Sequence, residues 1–464
     1  MGASSLANSF QVRKCPMLFA PPTYRDTMRS KILTCITSVI LFGWLALAVR
    51  LSAQEPNKPA HYRVFNLGTL GGTVSAGNTI DNRGLAIGSA NLPGDTTAHA
   101  TAWLFGLKSD LGTLGGPNSN VVFPNRNDFG EIVGISETAA LDPLGEQWSC
   151  SAFFPTITGH ICLGFVWQWG EMTALPTLGG DNGFAAAVNN LGQVVGWAEN
   201  TVHDSTCVSP QVLQFEAVIW GPAKGQIQEL HPLHGDPDSA ATAINEKGQV
   251  VGISGTCDVA VGAFSASHAV LWDDGRVTNL PTLGGAGWNT PVAINNQGEI
   301  AGFSDLPGDV SGGVLTANFH AVLWTKEHVI HDLGTLPGDN VSEATGINDR
   351  GQIVGVSFPS SHAFIWQDGV MTDLNKLIPS GSPLALISTG DIDDRGEITG
   401  QACVVSNGVC TSETPAFLAI PDCDGDAPDA ASWEAQTGAE VPEIVRHQLM
   451  RRLAFGRFAS APVK

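Results

Sequence analysis

The chain has 464 residues, a formal net charge of −21 and 54 glycines, and only 14% of it is charged, against about 25% in ordinary domains. Its 43% hydrophobic content excludes general disorder, and glycine without a strict three-residue period excludes collagen. Lys and Arg total 23 against 44 Asp and Glu, with no basic stripe through the body, which excludes nucleic acid as a partner. A turn-rich, charge-poor, all-β protein is what these numbers leave.

Read from the N-terminus, Met28, Arg29 and Lys31 lead into an apolar run from Ile32 to Val49, followed by Ser52 and Ala53. A basic head, an apolar stretch and a small residue at a cleavage point make residues 28–53 a signal peptide. Residues 1–27 then read as an over-extended start, so 1–53 is an export segment. An uncleaved anchor is the competing reading, since an apolar run of this length just spans a bilayer. On either reading the remainder is expected outside the cytoplasm: secreted, periplasmic or on the cell surface. No further membrane contact is expected.

Internal repeats decide the fold of residues 54–420. An Asx-x-x-Gly turn followed by a short apolar strand and a second glycine occurs seven times, with turn glycines at Gly84, Gly130, Gly192, Gly248, Gly298, Gly351 and Gly396. The Asx side chain caps such a turn, and glycine supplies the positive φ that closes it. A variable loop and a His-Ala-x-x-Trp segment come next, complete at His99, His268, His320 and His362 and degenerate at Leu163 and Glu216. The seventh copy, at 415–419, lacks the tryptophan. A V-x-D-L-G-T-L-G-G type segment then leads to the next turn. Four short strands at a period near 50 predict a propeller blade, and seven copies predict a seven-bladed β-propeller. The lone strand at 62–70 and the three-stranded unit ending at 416–420 predict closure by pairing the two chain ends, which also hides the sheet edges.

Within the sixth repeat, Ile347-Asn348-Asp349-Arg350-Gly351-Gln352-Ile353-Val354-Gly355 precedes Ser361-His362-Ala363-Phe364-Ile365-Trp366 and Asp373-Leu374. This combination resembles the HAF-repeat family, probable extracellular bacterial repeat proteins, over residues 62–420. The resemblance implies secretion and repeats. It carries no established activity, so it implies no catalytic residue.

Seven cysteines follow the export segment, none in a C-x-x-C arrangement, which gives no support to a zinc ribbon or a thioredoxin-type site. Disulfides are the default for an exported chain. Cys150 with Cys162 and Cys403 with Cys410 each share one loop between second and third strands, while Cys207 and Cys257 occupy the corresponding loops of neighbouring blades. These are the expected pairs, and Cys423 is left over.

Other residues suggest chemistry less directly. The four histidines are expected to be hydrogen-bonded strand starters, because equivalent positions on a ring lie too far apart to share a metal. Trp103, Trp167, Trp220, Trp272, Trp324 and Trp366 are expected to pack between blades. Trp148, Trp197 and Trp288 fall outside that position, and Trp148 and Trp288 are the ligand-face candidates. Gly-x-Ser copies such as 134–136 and 252–254 lack the second glycine and following helix of a nucleophile elbow. Turns at Asp95, Asp309 and Asp339 carry carboxylates. Asp422, Asp424 and Asp426 form a weak calcium candidate without the distal bidentate Glu. Residues 421–464 change character and are expected to form a flexible tail or a short helix, basic and amphipathic over 444–458.

A secreted binding or interaction module is therefore expected, using the second-to-third-strand loops at 137–162, 199–215, 255–267, 305–319 and 403–415. Variable loops on a rigid scaffold are where function concentrates. The partner would be an extracellular ligand or surface component, glycan or protein, with no cofactor. Two other readings stand beside it. One is a carbohydrate-active enzyme, lyase or glycosidase, with acids at the propeller centre; the other is a structural or adhesive surface protein.

Overall fold

A computed structural model describes residues 60–422, apart from short loop stretches at 126, 147–149, 259–262, 312–313 and 316–317, together with 439, 441–443 and 445–446. The export segment, Trp148, Cys423, Asp424 and Asp426 lie outside the described residues. The described residues belong to one compact unit.

Seven antiparallel sheets form seven blades, each with four main strands. The first strands are Ser75–Ile80, Gly115–Asn120, Gly183–Val188, Asp238–Ile244, Asn289–Ile294, Val341–Ile347 and Leu384–Ile392. Burial falls across a blade: in blade 1 the second strand Ala86–Asn91 is wholly buried and the fourth, Leu107–Asp110, wholly exposed. Blade 7 is completed from both termini. Its sheet runs Leu384–Ile392, Ile398–Ser406, Ala416–Pro421 and finally Tyr62–Gly68, the N-terminal strand pairing antiparallel with Ala416–Pro421 from Tyr62 opposite Pro421 to Gly68 opposite Ala416.

Two glycines of the repeat have different physical reasons. The turn glycine has positive φ, as at Gly248 (79°), so a side chain there would be strained. The following glycine sits inside the second strand, opposite a β-bulge of the first. In blade 4 the register slips between Ala241 and Ala243 across from Gly252, and a Cβ on Gly252 would lie 2.0 Å from the Ala240 carbonyl oxygen. Backbone carbonyls cannot step aside, so Gly252→Ala is expected to cost about 3 kcal/mol or more. Urea denaturation checks this; a loss under about 1 kcal/mol would refute the close-approach explanation.

The Asx residues join blades as well as capping turns. Asn245 Oδ1 accepts from the Lys247 and Gln249 N–H groups at 3.0 Å, while its Nδ2 donates to the Asn295 carbonyl of the next blade at 3.1 Å. The same inter-blade bond runs from Asn127, Asn189, Asn295 and Asn348. Asp81 and Asp393 have no N–H to donate, and each is paired instead with an arginine two residues on, Arg83 and Arg395.

The residue after each Asx closes a full circle. The backbone N–H of Asn82 donates to the Asp128 side chain, and so on through Asn190, Glu246, Asn296, Asp349 and Asp394, which returns to Asn82. Serines add a third inter-blade clamp. Ser239, for example, accepts from the Ala217 N–H of blade 3 and donates to the Leu230 carbonyl. At the closure, the Ala416 N–H of blade 7 donates to Ser75 of blade 1 at 2.8 Å.

Candidate functional site

The histidines of the repeat are distributed around the ring, each with its own carboxylate. Nδ1 lies 2.9 Å from Asp110 in His99, 2.8 Å from Asp236 in His268, 2.9 Å from Asp332 in His320 and 3.0 Å from Asp373 in His362. Blade 3 exchanges the charges: Glu216 occupies the histidine position, and His231 lies opposite at 3.8 Å with Glu229 nearby at 4.0 Å from the imidazole. These three could hold a metal by proximity, on the outer strands of the blade.

The repeat tryptophans pack between blades. Trp220, Trp272 and Trp324 are buried, and each indole N–H donates to a carbonyl of the preceding blade, at Pro176, His231 and Pro281. The serines of the Gly-x-Ser copies accept backbone N–H groups, Ser136 from Leu114 and Ser254 from Leu233. Asp95, Asp309 and Asp339 brace loops through Thr73, Ala286 with Gly287, and Ser360. Asp422 is engaged by Arg63 at 3.1 Å.

Trp288 requires a correction. It is 1% exposed, with its indole N–H on Thr290 Oγ1 and its ring against Phe303, so it presents nothing to a ligand. Trp197 is also fully buried, stacked on Phe184 with centroids 4.2 Å apart. A flat apolar ring beside an apolar cluster gains more by packing than by facing water.

All three expected disulfides are present: Cys150–Cys162, Cys207–Cys257 and Cys403–Cys410. They brace the loops of blades 2, 3, 4 and 7 on one face of the ring. These loops enclose an apolar cluster that includes Phe123, Phe153, Phe184, Trp197, Phe215 and Trp288. The C-terminal segment joins the same cluster through Val441 and Val445, both buried, while Arg446 reaches the Pro359 carbonyl. This part of the tail is docked.

Around that cluster, blades 2–4 carry a concentration of carboxylates. Glu146 Oε1, from the blade 2 loop, accepts from the backbone N–H groups of Val212 and Leu213 in the blade 3 loop, at 2.7 and 2.8 Å. Glu199 Oε2 accepts from the N–H and Nδ2 of Asn182 at 2.8 and 3.1 Å, and its Oε1 accepts from Gln211 Nε2 at 3.0 Å. Asn182 Nδ2 also donates to Asp142 at 2.9 Å, and Glu137 accepts from Asn118 and from Thr158. The Glu146 and Glu199 carboxyls interact with each other. Burial, reinforced by the neighbouring Glu146 charge, pushes Glu199 up to about 8, and burial raises Glu146 too. A small pocket of about 10 Å³, open to solvent, borders Glu146 and is also lined by Glu137, Thr156, Thr158 and His160.

A second carboxyl pair lies on the other flank of the blade 3 loop. Asp238 is fully buried; its Oδ1 accepts the Phe215 N–H at 2.8 Å, and its Oδ2 has no donor. Asp204 Oδ2, with which it interacts, has none either. Burial, with Asp204 beside it, pushes Asp238 up to about 9. Neither pair was singled out by the repeat motif, because Glu199 and Asp238 lie on repeating strands while their partners, Glu146 and Asp204, sit in loops that do not repeat. One signal was available: between Lys108 and Lys224 the sequence has a single Lys or Arg, Arg126, against eleven acids.

Solvent-facing aliphatic side chains share this region. Leu141 (65% exposed), Leu144 and Ile157 rise from the blade 2 loop, and Val202 and Val208 from the blade 3 loop. Acids near the ring axis on the opposite face, Asp128, Glu246, Asp349 and Asp394, each accept a neighbouring blade's N–H, which is a stapling role. No helix among the described residues is long and apolar enough to cross a membrane. The three disulfides are compatible with an exported protein.

Among solved structures, the fold is similar to a streptogramin B lyase, at 11% identity over 78% of this chain and 98% of that one, with a TM-score of 0.45. It is also similar to the acylaminoacyl peptidase of Pyrococcus horikoshii, at 11% identity, 75% and 52% coverage and a TM-score of 0.40. A third similarity is to YCF48 bound to D1 peptide, at 10% identity, 79% and 96% coverage and a TM-score of 0.39. At these identities the likeness concerns the fold alone. No protein-family model matches the chain, and no curated sequence matches at a significant level.

Proposed function

We propose that the protein is an exported HAF-type repeat protein that binds a polypeptide partner through the loops of blades 2 and 3. The observation that carries this reading is that Leu141, Leu144, Ile157, Val202 and Val208 all face solvent on two loops braced by Cys150–Cys162 and Cys207–Cys257. Cross-linked loops lose little conformational entropy on binding, and aliphatic side chains within an acidic surround suit a protein surface. A glycan would instead be expected to meet exposed aromatic platforms; among the described residues Trp197 and Trp288 are buried, and the exposed Trp169 sits at the turn between the third and fourth strands of blade 2, away from these loops.

Leu141→Asp with Val202→Asp changes only exposed side chains, so the fold should survive and capture of surface proteins from the producing cell should fall at least tenfold. Val370→Asp, on a fourth strand away from these loops, should leave capture unchanged. Capture insensitive to the double substitution, or equal binding to a purified polysaccharide, would overturn the reading.

A further inference from the structure

We propose that the turns of blades 1 and 2, on the face opposite the disulfide-braced loops, form the contact between two copies of this chain. The inference does not depend on any partner of the loop face.

The starting point is a pair of aromatic side chains in turns that do not favour them. Between third and fourth strands, blades 4 and 6 use Asp274-Gly275 and Asp368-Gly369, with all four residues at positive φ. Aspartate followed by glycine suits such a hairpin turn. Blades 1 and 2 have Phe105-Gly106 and Trp169-Gly170 instead, and the aromatic residues take φ values of 50° and 55°. Bulky side chains are disfavoured in that left-handed region. Phe105 is 76% and Trp169 87% exposed, so the fold gains no burial in exchange.

The Asx turns extend the same surface. Their third residue is Arg83, Lys247, Gln297, Arg350 or Arg395 in five blades, but Phe129 in blade 2 and Leu191 in blade 3, both exposed. The two kinds of turn lie at one end of a blade: in blade 4, Gln249 donates across them to Asp273 at 2.9 Å. Neighbouring blades bring the tips together, since the N–H of Asp128, beside Phe129, donates at 2.7 Å to the side chain of Asn190, beside Leu191. Exposed Leu107 completes the apolar set.

Size and charge together name the occupant. Three exposed aromatic rings and two leucines offer on the order of 600–800 Å². The largest apolar patch on a typical monomer is roughly 300–600 Å², and each partner of a stable interface buries about 600–1,000 Å². Charge is divided across the patch. Blade 1 contributes the exposed cations Arg83 and Lys108, while blade 2 contributes Glu131 and Glu171. A two-fold axis between the two blades lays the blade 1 tips of each copy on the blade 2 tips of the other, and sets those cations opposite those acids. An anionic lipid surface would instead meet the acids unfavourably. Joined back to back, both loop faces point outward, so the dimer offers two equivalent faces to a partner.

Sedimentation equilibrium of the purified full chain tests the contact. A dimer with a micromolar or tighter dissociation constant is expected, with or without thiol. Phe105→Asp with Trp169→Asp should weaken it at least a hundredfold and leave the melting temperature unchanged or higher, because aspartate suits the turn. Lys108→Glu and Glu171→Lys should each weaken association at least threefold, and their combination should recover most of the loss. A chain that stays monomeric at high micromolar concentration overturns the proposal, whether or not it then binds lipid vesicles. So does a dimer indifferent to the aromatic substitutions, or one abolished by thiol alone, which would place the contact at Cys423. Should the aromatic double variant fail to fold, a charge swap that recovers nothing would overturn it equally.

Discussion

A chain lacking residues 60–68 will lose the single cooperative unfolding transition of the ring, and Tyr62→Ala alone will lower its stability by about 3–5 kcal/mol. Among the described residues, Tyr62–Gly68 is the only N-terminal contribution to blade 7, and it covers the edge of Ala416–Pro421 over its whole length. Tyr62 is 1% exposed and belongs to an apolar cluster with Ile365, Leu374, Leu377, Ile378, Leu384 and Leu386. Its backbone N–H donates to the Leu377 carbonyl at 2.8 Å. Removing the strand therefore exposes a sheet edge and empties a core position at the one place where the ring is not covalently continuous. Urea denaturation followed by fluorescence and calorimetry gives the measurement. A Tyr62→Ala chain within about 1 kcal/mol of the parent would mean that closure rests on contacts other than this one.

Stability will fall as pH rises from about 5 to 8, and Asp238→Asn will remove part of that slope. Asp238 is fully buried, faces Asp204 with Glu216 close by, and is pushed up to about 9 by burial first. Its folded value lies above its unfolded value, so the folded state holds the extra proton between about 4 and 9. The stabilisation is complete below the unfolded value and is lost as pH climbs through the folded one. Within that window one such group changes stability by up to about 1.4 kcal/mol per pH unit. The asparagine amide can donate to Asp204 at every pH, so at pH 8 the variant should be the more stable chain by about 1–3 kcal/mol, the advantage shrinking toward pH 5. Urea midpoints for both chains across pH 5–9 are the check, and parallel slopes would show that Asp204 and Asp238 do not titrate as a pair.

Much of the fold was legible because a propeller repeats. Every blade meets the same neighbours, so the Asx turn, the bulge-facing glycine and the interblade tryptophan recur as visible motifs. The disulfide partners were legible for a related reason: loop position within the repeat places cysteines on one face. Trp288 and Trp197 were harder to read, since the sequence shows an aromatic outside the repeat but not whether the loops fold over it. The strand glycine was legible as a recurrence, while its cause, a carbonyl 2.0 Å from the missing Cβ at Gly252, is a contact between two strands.

The sequence by itself determined the seven blades, their order and the closure from both termini, because local turn chemistry and strand periodicity are encoded in neighbouring residues. Only the tertiary structure decided that Glu146 meets Glu199, that Asp204 meets Asp238, and that Val441 and Val445 dock beside the loops. Those contacts join residues from different blades or from the tail, and each has one member in a loop or tail segment with no repeat to reveal it. Their energetics depend on burial and on which N–H groups remain free, and both are settled only when the loops are packed together.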